Sequence, residues 1–108
     1  MSDRQPPERL LEIEPGPNGL RILGDVDLST AEVFAQAVRA RALEGGDVIL
    51  DLSGCTLLSS EAIGTLIDTA TGLARDGRLV LRAPAETVRR VLELSGLAER
   101  PNVDVEPA

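Results

Sequence analysis

Two aspartates lie two residues apart in the segment 24–27, between a predicted strand and a predicted helix. Alternate residues of an extended segment point to the same face, so Asp25 and Asp27 could hold a divalent cation together. Aspartate is also common in turns and at helix N-caps, where its carboxylate accepts backbone N–H groups. The spacing therefore allows a cation site but favours the turn role.

A third aspartate, Asp51, stands at the carboxyl end of the predicted central strand. In open α/β sheets, ligands bind beyond the carboxyl ends of the strands. Asp51 could equally order the turn that Ser53 and Gly54 predict. The sequence leaves both interpretations open.

Ser59, Ser60 and Glu61 open a predicted helix. A serine at a helix start is most often an N-cap. The N–H groups and dipole of the first turn also favour an anion, and a phosphate on a hydroxyl there would add about −1.5 to −2 charge without melting the helix. The pattern indicates a cap, with an anion seat or a phosphorylation site as the functional alternatives.

The composition excludes most enzymatic chemistry. The chain of 108 residues contains no His and no Lys, and Cys55 is its single cysteine. Without His it lacks the usual general base and any Ser-His-Asp triad, and without Lys it lacks a Schiff base or a phosphate-binding P-loop. A lone cysteine makes no internal disulfide, and a metal site would rest on carboxylates alone. We expect a binding or switching module with no catalytic residue, no metal and no cofactor.

The net charge of −7 and the near absence of aromatic residues argue against nucleic acid as a partner. No apolar run approaches the roughly 20 residues that span a bilayer, and the polar N-terminus lacks the apolar core of a signal peptide. We expect a cytoplasmic protein without direct membrane insertion.

Hydrophobic periodicity and turn residues predict alternating strands and helices. The predicted strands cover 10–14, 20–23, 47–52, 78–82 and 103–105, the last one at an edge. The predicted helices start at Ser29 or Thr30, at Ser59 or Ser60, and near Pro84. They end at Gly45, at Asp76 and at Ser95.

The residues predicted to point inward are Val33, Phe34, Ala37, Val38 and 40–43 in the first helix, Ile63, Leu66, Ile67, Ala70, Leu73 and Ala74 in the second, and Val88, Val91, Leu92 and Leu94 in the third. A turn over 15–19 joins the first two strands, and Gly24 interrupts the second strand at a bulge or where backbone comes close. The order β-β-α-β-α-β-α, with a possible final β, predicts an α/β domain over 8–106 after a disordered tail over 1–7.

Five segments, 23–31, 48–56, 58–64, 77–81 and 88–97, carry sequence motifs in an order that resembles the STAS domains of anti-sigma factor antagonists. Segment 23–31 is similar to that family's "GELD" junction, and 48–56 is similar to its central strand, "vvlDLsgvt". Segments 58–64, 77–81 and 88–97 are similar to its "iDSSGLg", "GgrLvLv" and "vrrvLeltGl" motifs. The resemblance covers about residues 9 to 100. It implies the STAS fold, a small mixed β-sheet of four or five strands with helices packed on it.

The family's phosphorylated serine maps onto this chain in two ways. Counting forward from Asp51 without a gap places it at Ser60, the family's preceding Asp at Ser59, its second Ser at Glu61 and its Gly at Ala62. Counting back from Gly77 shifts the match by one residue, to Ser59. We prefer Ser60, because a one-residue deletion is more easily accommodated in the helix-to-strand turn 75–77.

The resemblance implies a partner-switching role. The unmodified protein would bind an anti-sigma factor that is also a serine kinase, phosphorylation would break the complex, and a phosphatase would reset it. Partner contacts are expected from Asp25, Asp27, Ser53, Thr56, Ser59 and Glu61, with the protein a monomer or weak dimer. The alternatives are a STAS adaptor that is never phosphorylated, within a larger signalling or transporter assembly, and a small anion- or nucleotide-binding module.

Overall fold

The computed structural model describes residues 10–16, 19–73 and 77–107. The strands are β1 (Glu12–Gly16), β2 (Gly19–Val26), β3 (Val48–Leu58), β4 (Leu79–Arg82) and β5 (Val103–Glu106). The helices are α1 (Ala31–Leu43), α2 (Ser60–Gly72) and α3 (Glu86–Leu94), followed by a 3₁₀ turn at Leu97–Glu99. The predicted α/β order is confirmed, including the final strand.

One five-stranded sheet organises the domain, with the strands side by side in chain order. β1 and β2 form an antiparallel hairpin, and β2 through β5 run parallel. Each parallel step needs a crossover, which α1, α2 and α3 supply. Right-handed crossovers to successive neighbours place all three helices on one side of the sheet. The carboxyl ends of β2 and β3 therefore meet at the edge where α1 and α2 begin.

The core lies between the sheet and the helices. Alternate strand residues point into it, such as Ile22, Leu50 and Leu81, and all three are fully buried. Phe34 of α1 and Leu66 of α2 meet them from the helix layer, also fully buried. Cys55 belongs to this core, and burial raises the pKa of its thiol to about 11. The thiol is therefore an inert core group rather than a nucleophile.

The opposite face of the sheet carries a row of alternating charge. The strand register aligns one residue from each strand across all five strands: Glu14, Arg21, Asp51, Arg82 and Glu106. Arg21 reaches Glu14 at 3.4 Å and Asp51 at 3.6 Å, and Arg82 reaches Glu106 at 2.9 Å. Opposite charges on neighbouring strands favour this register, and like charges in the same places would oppose it.

Asp51 does not have the strand-end position that the sequence predicts. Asp51 lies within β3 rather than at its carboxyl end, and no turn forms at Ser53 and Gly54, because the strand continues to Leu58. The Asp51 carboxylate accepts the Ser53 N–H at 2.9 Å and the Ser53 hydroxyl at 2.7 Å, where the register with β2 shifts. The turn signal in the sequence is thus a bulge inside a strand. A second register shift follows Gly24, as predicted, and φ of Gly24 is 89°.

Other expectations need smaller corrections. β1 starts two residues later than predicted. It includes Pro15 and Gly16, which were predicted to belong to the turn. Residues 17 and 18 of that predicted turn lie outside the described residues. α2 ends at Gly72 rather than at Asp76, which with Ala74 also lies outside them. Several residues predicted to point inward are exposed. They are Val33, Ala40 and Leu43 of α1, and Val91 and Leu94 of α3.

Asp51→Asn should lower the free energy of unfolding by about 0.5–1 kcal/mol at pH 7, because it removes the charge that Arg21 and the Ser53 groups stabilise. The Ser53 N–H, foremost among several contacts, holds the pKa of Asp51 below its usual 3.8. This stabilisation is therefore present above that value and is lost as the pH falls through the lower, folded-state pKa. Urea unfolding at pH 7 and at pH 2.5 measures the difference.

Glu12→Gln, which removes an exposed carboxylate from the outermost strand, is the control. A destabilisation by Asp51→Asn that stays constant with pH would contradict this electrostatic account.

Candidate functional site

The first residues of α2 lie at the shared carboxyl edge of β2 and β3. The Ser59 N–H donates to the Val26 carbonyl at 2.8 Å, which joins the end of β2 to the start of the helix. Three residues before Ser59, the Thr56 hydroxyl of β3 contacts the Asp25 carboxylate of β2. These two contacts fix where α2 begins relative to both strands.

Ser59 and Ser60 are adjacent but have different environments. Ser59 is the N-cap of α2, with extended backbone angles, and its half-buried hydroxyl accepts the Ala62 N–H at 3.2 Å. Ser60 is the first helical residue and is exposed, and its hydroxyl makes a long contact of 3.4 Å to the Glu61 carboxylate. The Ser59 hydroxyl therefore has a structural task, while that of Ser60 is accessible for modification.

The cap also bears on the anion-seat alternative. An anion bound at the first turn of α2 needs the unpaired N–H groups there. The Ser59 hydroxyl already takes the Ala62 N–H. Glu61 adds a negative charge in the same turn. Both features disfavour a small anion at this helix end.

Asp27 orders the turn that leads into α1. Its Oδ1 accepts the Ser29 N–H at 3.0 Å, the Ser29 hydroxyl at 2.8 Å and the Thr30 N–H at 3.1 Å. These hydrogen bonds, chiefly that from the Ser29 hydroxyl, hold the pKa of Asp27 below its usual value. This is the turn role that the sequence favours. Thr30 occupies the N-cap position of α1, but its hydroxyl donates to the Asp25 carbonyl at 3.1 Å and does not cap the helix.

Asp25 and Asp27 do not converge on one point. Asp25 turns to Thr56 across the strands, and Asp27 turns to its own loop. Within residues 10–16, 19–73 and 77–107, no group of three acidic or cysteine side chains could hold a metal ion. In the same residues no helix is long and apolar enough to cross a bilayer.

A shallow hollow of about 340 Å³ lies beside Ser60, between the start of α2 and the end of α3. Its lining consists of Ser60, Ile63, Val91, Leu94 and Ser95. A smaller hollow of about 100 Å³ adjoins it along α3 and reaches the end of β3 at Leu57. Val91 lines both. Leu57, Val91 and Leu94 are exposed and form what we call the α3 apolar face, and the Leu94 side chain is 81% exposed.

The sequence reasoning missed the α3 apolar face, although the signal was present. Val88 and Leu92 are the buried residues of α3. At about 100° per residue, Leu94 lies about 140° around the helix from the midpoint of those two positions. Leu94 therefore had to point away from the core.

Of the predicted partner-binding residues, the structure gathers Asp25, Thr56, Ser59 and Glu61 near the start of α2, with Asp27 on the adjoining turn. Ser53 lies elsewhere, because it is five residues upstream of Leu58 on a continuous strand and bonds Asp51. β3 continues unbroken from Ser53 to Leu58, so these residues form a strand rather than a loop.

The comparisons with known proteins agree with this architecture. The family model described as "Mlab, STAS domain" matches residues 10–105, so the chain belongs to the STAS domain family. An anti-sigma factor antagonist from Mycobacterium paratuberculosis is similar in structure, with 25% identity and a TM-score of 0.71, over 92% of this chain and 86% of that one.

Two structures of the Bacillus protein SpoIIAA share the fold at 22% identity. The unphosphorylated form of that anti-sigma factor antagonist matches 89% of this chain and 87% of its own, with a TM-score of 0.67. The phosphorylated form matches 89% and 90%, with a TM-score of 0.62. Among curated protein sequences none matches this chain significantly. The predicted STAS fold is confirmed, and these structural neighbours are anti-sigma factor antagonists.

Replacing Ser59 and replacing Ser60 should change the free energy of unfolding by different amounts. Ser59→Ala should lower the free energy of unfolding by about 1 kcal/mol, because the Ala62 N–H loses its cap. Ser60→Ala should change it by less than about 0.5 kcal/mol, because the hydroxyl is exposed. Denaturant unfolding monitored by circular dichroism gives both values, and a larger loss for Ser60→Ala would reverse the assignment of the cap.

Proposed function

We propose that this chain is a cytoplasmic anti-sigma factor antagonist that binds an anti-sigma factor with serine kinase activity and is released when Ser60 is phosphorylated. One observation carries the proposal. An exposed serine hydroxyl stands at the start of α2 on the rim of an apolar hollow, while its neighbour Ser59 is occupied as the cap. The family membership and the antagonist neighbours support the same role.

The docking surface combines an apolar centre with acidic surroundings. Leu94 and Val91 form the centre, and Glu61 and Asp25 lie on the side of α2 and β2. Exposed apolar area of this kind is typical of protein interaction sites. The chemistry that fits is a partner with an apolar side chain for the hollow beside Ser60 and with basic groups around it.

Phosphorylation would act directly on that hollow. The Ser60 hydroxyl oxygen would attack the γ-phosphorus of ATP held by the kinase, ADP would leave, and the hydroxyl proton would pass to a base of the kinase. The chain has no His or Lys and needs no cofactor, because ATP and Mg²⁺ belong to the partner. A phosphatase would hydrolyse the Ser60 phosphate and restore binding.

Desolvation and charge repulsion would make a phosphate on Ser60 break the complex. A dianion on Ser60 would be desolvated against Ile63, Val91 and Leu94 and would stand beside the Glu61 carboxylate. An uncompensated buried charge costs several kcal/mol, and each 1.4 kcal/mol is about tenfold in affinity. The fold itself would be little disturbed, because the hydroxyl points to solvent at the first turn of a helix.

A second function is favoured by one feature of the sequence. Ser59 stands where the family has an Asp, which removes a charge next to the acceptor. This departure fits an adaptor that uses the same surface without being phosphorylated.

Phosphorylation by a serine kinase that binds the chain should add one phosphate to the wild type and to Ser59→Ala, and none to Ser60→Ala. Intact-mass measurement after incubation with ATP and Mg²⁺ reads the result. If only Ser59→Ala fails to gain the phosphate, the acceptor is Ser59 and the proposed function still holds. A kinase that binds the wild type without modifying it would establish the adaptor instead.

Leu94→Glu should weaken binding of the anti-sigma factor by about tenfold or more, because it places a charge in the centre of the docking surface. Leu43→Glu is the matched control, since Leu43 is a similarly exposed leucine at the far end of α1. Calorimetric titration measures both variants. Equal affinities for Leu94→Glu and Leu43→Glu would exclude the α3 apolar face from the interface.

A further inference from the structure

A second apolar groove lies at the other end of the helix layer. It has a volume of about 340 Å³ and runs between the later turns of α1 and α2. Its described lining residues are Arg39, Ala42, Leu43, Thr65, Asp68, Thr69 and Gly72. The groove shares no lining residue with the hollow beside Ser60. Thr65, its lining residue nearest to Ser60 along α2, is five residues away, or about 7.5 Å along the helix axis. The two surfaces are therefore distinct.

Leu43 is the most exposed large apolar side chain among the described residues, with 88% of its surface accessible. It is the last residue of α1. Glu44 follows as the C-cap, with its carboxylate 3.6 Å from Arg41, and Gly45 and Gly46 then add no side chains. Across the groove, Gly72 leaves open space, since a Cβ there would meet no atom within 4 Å. One wall thus offers a projecting leucine, and the facing wall offers room for a side chain.

The two walls also carry opposite charges. Arg39 lies on the α1 wall and Asp68 on the α2 wall. Arg39 has a contact of 3.8 Å to Glu32, and both of those side chains are largely solvated, so the guanidinium can turn to a better partner. A uniformly acidic or basic partner would satisfy only one wall. A copy of the same surface, turned by a two-fold axis, satisfies both.

The geometry points to a two-fold symmetric homodimer formed through this groove. Leu43 of each copy would enter the groove of the other, and Arg39 of each would face Asp68 of the other, as an isologous interface requires. The inference does not depend on the proposed function. Because the groove lies away from Ser60, the dimer would present two accessible acceptor sites.

Each chain carries a net charge of −7, which opposes self-association at low salt. The test therefore belongs at about 0.15 M salt, where the screening length is about 8 Å. Sedimentation velocity over a range of protein concentrations should show the wild type moving from the 11.4 kDa monomer towards twice that mass. Leu43→Glu should raise the dissociation constant by roughly tenfold or more.

The charge pair gives the sharper test. Arg39→Asp alone and Asp68→Arg alone should each weaken the dimer, and the double variant should restore it, since the pair is then reversed in both copies. Leu94→Glu, at the opposite end, should dimerise as the wild type does. A wild type that stays monomeric up to about 1 mM, or a dimer that Leu43→Glu leaves unchanged, would overturn the inference. So would a double variant no better than the single ones.

Discussion

The pairing of β2 with β3 is the constraint on which the rest of this structure depends. Two register shifts occur in this strand pair, and each has an identifiable cause. Asp51 holds the first by binding the Ser53 N–H and hydroxyl, and Gly24 permits the second with a positive φ. Because of these shifts, Asp25 meets Thr56 and Val26 meets Ser59. α2 therefore starts at the place where Ser60 faces solvent beside α3.

The sequence predicted the order of the elements because alternation and turn residues are local signals. It predicted Ser59 and Ser60 at a helix start for the same reason. It did not predict that β3 runs through Ser53 and Gly54, because a bulge held by an aspartate uses the same residue types as a turn. The cap role of one serine over the other depends on backbone angles that the sequence does not display.

Features that join distant parts of the chain could not be predicted from the sequence. The charged row takes one residue from each of five strands between Glu14 and Glu106, and it becomes visible only when the register of all four strand pairs is known. The α3 apolar face joins the end of β3 to a helix about 35 residues later, across a crossover. Helical arithmetic could have shown that Leu94 faces solvent, but not that Ser60 would be its neighbour.

α2 connects two surfaces with different chemistry. Its first turn carries an exposed hydroxyl next to an apolar hollow, and the residues from Thr65 to Gly72 line a groove with opposite charges on its walls. The proposed function draws on shape, charge and the exposed hydroxyl of Ser60. On this account a partner kinase does the chemistry, and the fold holds Ser60 where a phosphate would change the surface without changing the structure.

The most direct measurement of this account compares the affinity of the anti-sigma factor for the unmodified chain and for a chain carrying phosphoserine at position 60. The account predicts a dissociation constant at least about 100-fold larger for the phosphorylated chain, with the unfolding temperature shifted by only a few degrees. Equal affinities would contradict it, and so would a loss of binding that accompanies unfolding.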